Sequence, residues 1–401
     1  MASLDFVDPQ LDLQTTIEET NLKLEWVLKT LYDNNSDFKE ILGNSKVTKL
    51  ESTEISKGNG FCSRILKTCV HFDDLDKTYF FVMKVPTEEF IFKLIYTTVE
   101  SPMERDKMLE EILTLHNIEL AKIYYLQRAI DQQTGVIMME DLSESTTVTG
   151  LFRSITPGMC LNFARHFADL QAHFELMDKS DWRERFTTNI YTRVDLVESE
   201  KKGLYAALNF RDGELHDQIH FFLDIEYNAF ACLTVIDRAK EYGALMFCHG
   251  DAWVNNMLVK VKDGSISDEF AAFLDWQTVF VGSAMHDMAR FLVNCADSGV
   301  RREIEEKAVD VYYDRLTENL KAHGREVKFT REQAHELYEL AFVHSNHILV
   351  KAFAFLAMPL EKSGKPEDIA KTDMIWNRLK HAFEDSEPLI KKHDLRNRFA
   401  V

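Results

Sequence analysis

His249-Gly250-Asp251-Ala252-Trp253-Val254-Asn255-Asn256 is the stretch that decides how this chain is read. It follows the apolar run Ala244–Cys248 and leads into a predicted strand, Met257–Val261. A turn around Asp263-Gly264 connects that strand to a second, Phe270–Leu274, which runs into Phe273-Leu274-Asp275-Trp276-Gln277. The pattern is an Asp, an Asn five residues on, a hairpin, and a second Asp. The strands of a hairpin leave and return at one end, so Asn256 and Asp275 are expected close together. An amide oxygen and a carboxylate so placed suit a hard cation such as Mg²⁺, which prefers oxygen ligands and keeps several waters. Asp251, on the loop just before them, is placed to orient a hydroxyl nucleophile or accept its proton. Any one of these aspartates alone reads more simply as a solvated charge or a helix cap. The spacing of the set between two apolar strands carries the inference.

Upstream, the chain divides by pattern. Thr15–Tyr32 and Ser36–Leu42 read as helices ended by Gly43-Asn44. Val47–Val85 turns strand-like, with runs Arg64–Phe72 and Lys77–Val85 around Asp73-Asp74, and Pro86 as a stop. Ser101-Pro102 with Glu104 forms a capping signature, and Met108, Ile112 and Leu115 share one helical face. Ala121–Arg128 and Gly135–Met139 read as short strands. After Leu142 the pattern is mainly helical: a helix from Thr156-Pro157 carries Cys160, Phe163, Phe167, Leu170 and Phe174, and a block over Glu214–Tyr242 follows. Later helices break near Gly324, Pro359 and Gly364. The expected class is α+β, a small strand-rich lobe followed by a large helical lobe. The expected divisions are a helical extension over 1–46, a lobe over 47–142 and a helical lobe over 143–401.

Composition narrows the function classes. The 401 residues suggest two or three folding units, or two lobes sharing a cleft. Hydrophobic residues are 45% and charged residues 28%, which argues against long disorder. Asp and Glu number 66 against 47 Lys and Arg, a formal charge of −19 that argues against nucleic acid or anionic membrane as partner. The six cysteines form no Cys-x-x-Cys pair and read as reduced core residues. The start, Met1-Ala2-Ser3-Leu4-Asp5, has neither a basic region nor an apolar signal core. The apolar stretch Leu340–Met358 contains His344, His347 and Lys351 and reads as a buried helix, not a membrane span. A reducing cytoplasmic compartment is the simplest expectation.

Taken together, His249-Gly250-Asp251-x-Trp253-x-x-Asn256, Phe273–Gln277 and His286-Asp287-Met288-Ala289-Arg290-Phe291-Leu292 resemble a known family. They are similar to the ecdysteroid-kinase-like, or CHK kinase-like, proteins, in the aminoglycoside/choline-kinase-like branch of the protein-kinase fold, and to nematode members above all. The resemblance implies a two-lobed kinase-like fold and transfer of the ATP γ-phosphoryl to a hydroxyl of a small apolar acceptor, steroid-like or xenobiotic. It implies Asp251 as catalytic base, Asn256 and Asp275 as Mg²⁺ ligands, Asp287 as a brace of the catalytic loop, and His249 as a residue that orients backbone. Phe81–Pro86 resembles the strand carrying the phosphate-binding lysine, here Lys84. A lysine on an edge strand reaching solvent is the plainer reading of that residue. Glu119, in His116-Asn117-Ile118-Glu119, resembles its partner, with Glu111 as runner-up. Lys57-Gly58-Asn59-Gly60-Phe61-Cys62-Ser63 resembles the loop over the phosphates, with Gly58, Gly60 and Ser63 as contacts, although a plain hairpin turn fits as well. Met138–Leu142 resembles the adenine-contacting hinge, which would use the backbone of Glu140 and Leu142.

One departure from the family pattern matters. The helix bearing Glu119 usually continues well past it, whereas Ala121–Leu126 here already reads as strand. That motivates a second class, a kinase-fold binding protein with little catalysis. A third class is a metal phosphohydrolase built on His249, Asp251, His286 and Asp287; it would need neither Lys84 nor Asn256. The phenylalanines, 28 in number, read mainly as core. The stripe Phe342, Leu349, Phe353 and Phe355 leaves core and acceptor pocket open, and Arg301–Lys307 reads as a solvated helix face.

Overall fold

The computed structural model describes residues 4–18, 20–55, 63–74, 76–86, 120–127, 134–177, 182–186 and 194–399. Their contacts separate two compact units, one holding the described residues up to Ser145 and the other those from Thr146 onward.

The first unit is built on a five-stranded antiparallel sheet of β1 (Val47–Glu54), β2 (Ser63–Phe72), β3 (Thr78–Pro86), β4 (Ile123–Gln127) and β5 (Val136–Glu140), in the order β1-β2-β3-β5-β4. Strand alternation sorts its side chains. Leu66, Val70, Phe72, Phe81, Met83 and Val85 enter a core closed by Val27, Leu28 and Leu31 of α1 (Leu24–Asn34) and by Phe38 and Leu42 of α2 (Ser36–Leu42). The N-terminal segment thus covers one face of the sheet. Its first helix begins at Leu24, not at Thr15: the stretch before it folds through turns closed by a Thr16–Lys23 bridge, so the apolar Leu13 and Ile17 pack from irregular backbone.

The second unit is mainly helical. Its long helices are α3 (Pro157–Leu176), α4 (His286–Cys295), α5 (Ser298–Ala322), α6 (Arg331–Ala352) and α7 (Pro366–Lys392). Thr156 caps α3, its hydroxyl accepting from the Met159 N–H, and Phe163, Phe167, Leu170 and Phe174 are buried as the spacing predicts. The block over 214–242 is not one helix; it breaks at Ile225, where the backbone is extended, between His216–Asp224 and Tyr227–Cys232. Pro359 does not break the helix that runs on from α6. A π-helical turn, Phe353–Ala357, widens the hydrogen-bond pattern just before it and accommodates the missing N–H. That helix, Arg331–Glu361, is long and apolar enough to cross a membrane, yet 78% of its apolar window is buried inside the protein. Phe342, Leu349 and Phe353 are core, while Phe355 is half exposed. Arg301 is no solvated residue: it is buried and paired with Glu305 and with Asp385 of α7. Among the described residues every cysteine is a free thiol, and Cys160, Cys248 and Cys295 are buried.

Two small sheets frame the decisive loop. Strands β6 (Thr146–Thr147), β8 (Met257–Lys262) and β9 (Ser265–Phe273) form one; β7 (Leu245–Cys248) and β10 (Phe280–Ser283) form the other. Asp263 and Gly264 both have positive φ, the backbone that a two-residue hairpin turn requires, and they join β8 to β9.

Candidate active site

Strand β7 delivers the chain to His249, and the loop turns at Gly250 with φ +79. A Cβ there would stand 2.2 Å from the Thr278 carbonyl oxygen, so only glycine fits. The buried carboxylate of Asp287, from the first turn of α4, accepts from the His249 N–H at 2.7 Å and the Gly250 N–H at 2.9 Å. Burial pushes this carboxyl up to about 7, against the two N–H donors and the Arg290 charge that favour its ionised form.

His249 is fully buried. The Asp251 N–H donates to its Nδ1 at 3.2 Å, so the ring proton sits on Nε2 and is donated to the Leu274 carbonyl at 3.0 Å. Burial lowers its pKa, which keeps it neutral. His249 therefore ties the loop to the residue before Asp275 and bridges backbone without charge. Trp276 packs against its ring at 4.5 Å.

The hairpin closes the set. Met257 pairs with Phe273, and the Leu274 N–H donates to the Asn256 carbonyl at 2.8 Å, which brings the Asn256 and Asp275 positions to one end. The Asn256 side-chain N–H₂ donates to the Asp251 carbonyl and to Asp251 Oδ2, both at 2.9 Å. With its nitrogen so engaged, Asn256 presents Oδ1 as its remaining polar atom. Asp275 sits in left-handed backbone, φ +66, two residues after β9, a conformation uncommon outside glycine but one that Asp tolerates.

An amide oxygen and one carboxylate match the way Mg²⁺ is held, by few protein ligands with water and phosphate completing the shell. No group of three or more His, Cys, Asp or Glu among the described residues could hold a metal. His249 and Asp287 are committed to backbone, so the transition-metal phosphohydrolase reading has no ligand cluster there.

Arg290 is the residue that sequence reasoning missed. It lies three positions after Asp287, on the same face of α4, and pairs with Asp251 Oδ1. The i,i+3 spacing within His286–Leu292 was the available signal.

In the first unit, Lys84 lies in β3, an interior strand between β2 and β5, which removes the edge-strand reading. It faces away from the core formed with α1 and α2, flanked by Ile65 and Ile137, and next to them Val82 lies between Lys67 and Met139. Ser63 is buried opposite Pro86 at the start of β2. Glu140 ends β5; its N–H donates to the Lys122 carbonyl at 2.9 Å, and the Leu142 carbonyl accepts from Ser145 N–H at 3.3 Å. Gly58, Gly60, Glu119, Glu111 and the helix expected over 102–119 lie outside the described residues.

The strand-rich unit and the helical unit with this loop define a kinase-like fold. A choline kinase from Cryptosporidium parvum Iowa II aligns over 93% of this chain and 98% of its own, at 16% identity and TM-score 0.56. A microcompartment-associated aminopropanol kinase covers 89% and 98%, at 13% identity and TM-score 0.49. Residues 103–395 match the family DUF1679, described as uncharacterized oxidoreductase dhs-27, and the chain belongs to that family. It is 23% identical over 341 residues to the Caenorhabditis elegans protein "Uncharacterized oxidoreductase dhs-27", which covers 77% of this chain. The chain spans about 40% of that relative's length.

Proposed function

We propose that the protein is an ATP- and Mg²⁺-dependent small-molecule phosphotransferase acting on a hydroxyl of a small, apolar acceptor. The observation that carries this is the Asp251–Asn256–Asp275 arrangement: one carboxylate held by an amide, beside an amide oxygen and a second carboxylate suited to Mg²⁺. Bound Mg²⁺ would neutralise the charge on the transferring phosphates. Asn256 Oδ1 and Asp275 would hold it. Asp251 would orient the acceptor hydroxyl; as its oxygen forms the new bond to phosphorus and the bond to ADP breaks, the hydroxyl proton passes to the Asp251 carboxylate. Lys84 would meet the phosphates, and the apolar side chains Val82, Ile65 and Ile137 around it suit a base. Glu119, Gly58, Gly60, Ser63 and the backbone of Glu140 and Leu142 complete the proposed nucleotide contacts, and a cytoplasmic setting supplies ATP.

The word oxidoreductase in the relative's name does not fit the strands described here. A dinucleotide site of the Rossmann type needs parallel strands and a helix after its glycines. The five-stranded sheet here is antiparallel at every pairing.

Turnover by Asp251→Asn tests the reading. Mg·ATP binding should persist within about threefold, and ADP release with a panel of hydroxylated acceptors should fall about 10²–10⁴-fold. Equal turnover by the variant and the wild type would remove Asp251 as the base. Sound nucleotide binding by the wild type without transfer to any acceptor would favour the binding-protein class.

A further inference from the structure

We propose that Arg290 is a positioning residue of the phosphoryl-transfer site, acting through Asp251; the inference rests on the phosphotransferase reading above. Helix α4 puts Asp287 and Arg290 on one face, and the two side chains do different work. Asp287 fixes the loop backbone through the N–H groups of His249 and Gly250. Arg290 fixes the carboxylate that the loop carries. Its side chain is only 13% exposed, too buried to serve as a mobile surface clamp, while the Asp251 side chain keeps 24% of its surface open.

The two oxygens of Asp251 are thus held from two sides. The guanidinium engages Oδ1, and the Asn256 amide engages Oδ2 at 2.9 Å. The carboxylate plane is set by these two partners before any acceptor arrives, so a hydroxyl meets a preorganised orienting group. Asn256 Nδ2 donates to the Asp251 backbone carbonyl as well as to Oδ2, so the amide keeps its orientation independently of Arg290, and the grip of Arg290 falls on Asp251 itself. The guanidinium charge also favours the ionised form of the buried Asp287 carboxyl behind the loop.

The test uses the full chain with Mg·ATP, measuring ADP release with water and with a panel of primary, secondary and phenolic alcohols. Arg290→Met, Arg290→Lys, Asp251→Asn and the double variant are compared. Arg290→Met should lower kcat about 100-fold and change KM for ATP less than about threefold, and Arg290→Lys should recover about tenfold of the loss. In the Asp251→Asn background, Arg290→Met should lower kcat by no more than about twofold, because the group it positions is gone. If Arg290→Met does not fold, Arg290→Lys and the double variant, in which no Asp251 carboxylate is left without its guanidinium partner, decide. Wild-type kcat in the Arg290→Met protein would overturn the inference, as would an undiminished 100-fold loss in the Asp251→Asn background. A wild type that binds Mg·ATP yet releases no ADP with any acceptor overturns the phosphotransferase reading itself, and this inference with it.

Discussion

Two clusters of buried polar side chains meet at α4, and they handle charge in opposite ways. Asp287 and Arg290 face the loop with Asp251 and Asn256, where every contact involves an ionised or strongly dipolar group, and Asp251 stays partly open. His286, one residue before Asp287, has its ring 5.8 Å from that of His344 and tilted 60° to it, in a cluster completed by His347, Tyr227 and Thr234. There the tautomers can be read from the partners. His347 donates from Nδ1 to the His344 carbonyl, so its Nε2 accepts from the Tyr227 hydroxyl at 2.5 Å. Thr234 donates to the Phe230 carbonyl at 2.9 Å and accepts from His344 Nδ1 at 3.1 Å. Burial holds His286 and His344 far below the usual imidazole range and pushes His347 down to about 3. The neutral cluster has no open face and reads as core. The charged one has an open carboxylate and reads as chemistry. Burial of a titratable group is therefore no mark of function until its charge state and its access are known.

That contrast can be broken by substitutions on either side. Gly250→Ala should have the largest effect on stability. Its Cβ meets the Thr278 carbonyl oxygen at 2.2 Å, and its φ of +79 is costly for alanine, so unfolding free energy should fall by about 3 kcal/mol or more, with turnover lost. Urea unfolding at pH 7.5 checks it, and an unchanged midpoint would mean that the loop backbone is not fixed as described.

Acid should act mainly through the neutral cluster. His249, His286, His344 and His347 all have lowered pKa values in the folded protein, so the unfolded chain binds more protons below the ordinary value of 6.5. Each histidine then removes up to about 1.4 kcal/mol per pH unit as pH falls below that point, and adds nothing above it. Asp287 runs the other way: its raised pKa stabilises the fold at low pH, and that contribution is lost as pH rises from 3.8 toward about 7, which offsets about one histidine. Stability should fall steeply between pH 6.5 and 5. Flat unfolding midpoints across that interval would contradict the neutral assignment.

Tyr227→Phe should have the smallest effect, about 1–2 kcal/mol lost from the missing hydroxyl bond, with Mg·ATP binding unchanged. A change in nucleotide affinity would join the two clusters functionally and dissolve the distinction.

The loop and hairpin were legible in sequence because their meaning lies in local spacing: Asp251, Asn256 and Asp275 are placed by one turn and one pair of strands. What escaped depended on partners far along the chain. Arg301 looks solvated within its own helix; Asp385 on α7 and the Phe342 ring on α6, both far along the chain, account for its burial. Strand β10, Phe280–Ser283, is four residues with a glycine, too short for a periodicity, and exists by pairing with β7. Arg290 stands inside the His286–Leu292 motif, yet its partner is a carboxylate 39 residues earlier. The helix start at Thr15 failed because apolar spacing alone does not distinguish a helix from turns that pack the same side chains.

The most direct test of the central claim is a thermal-shift titration with ATP, in Mg²⁺ and in EDTA, on the wild type and Asp275→Ala. Ligand at about 100 times its Kd should stabilise the wild type by roughly 2.7 kcal/mol, and the Mg²⁺-dependent part of the shift should vanish in Asp275→Ala. A wild type that shows no shift in either condition, or an Asp275→Ala protein that shifts as fully with Mg²⁺, would contradict a nucleotide-metal site built on Asn256 and Asp275.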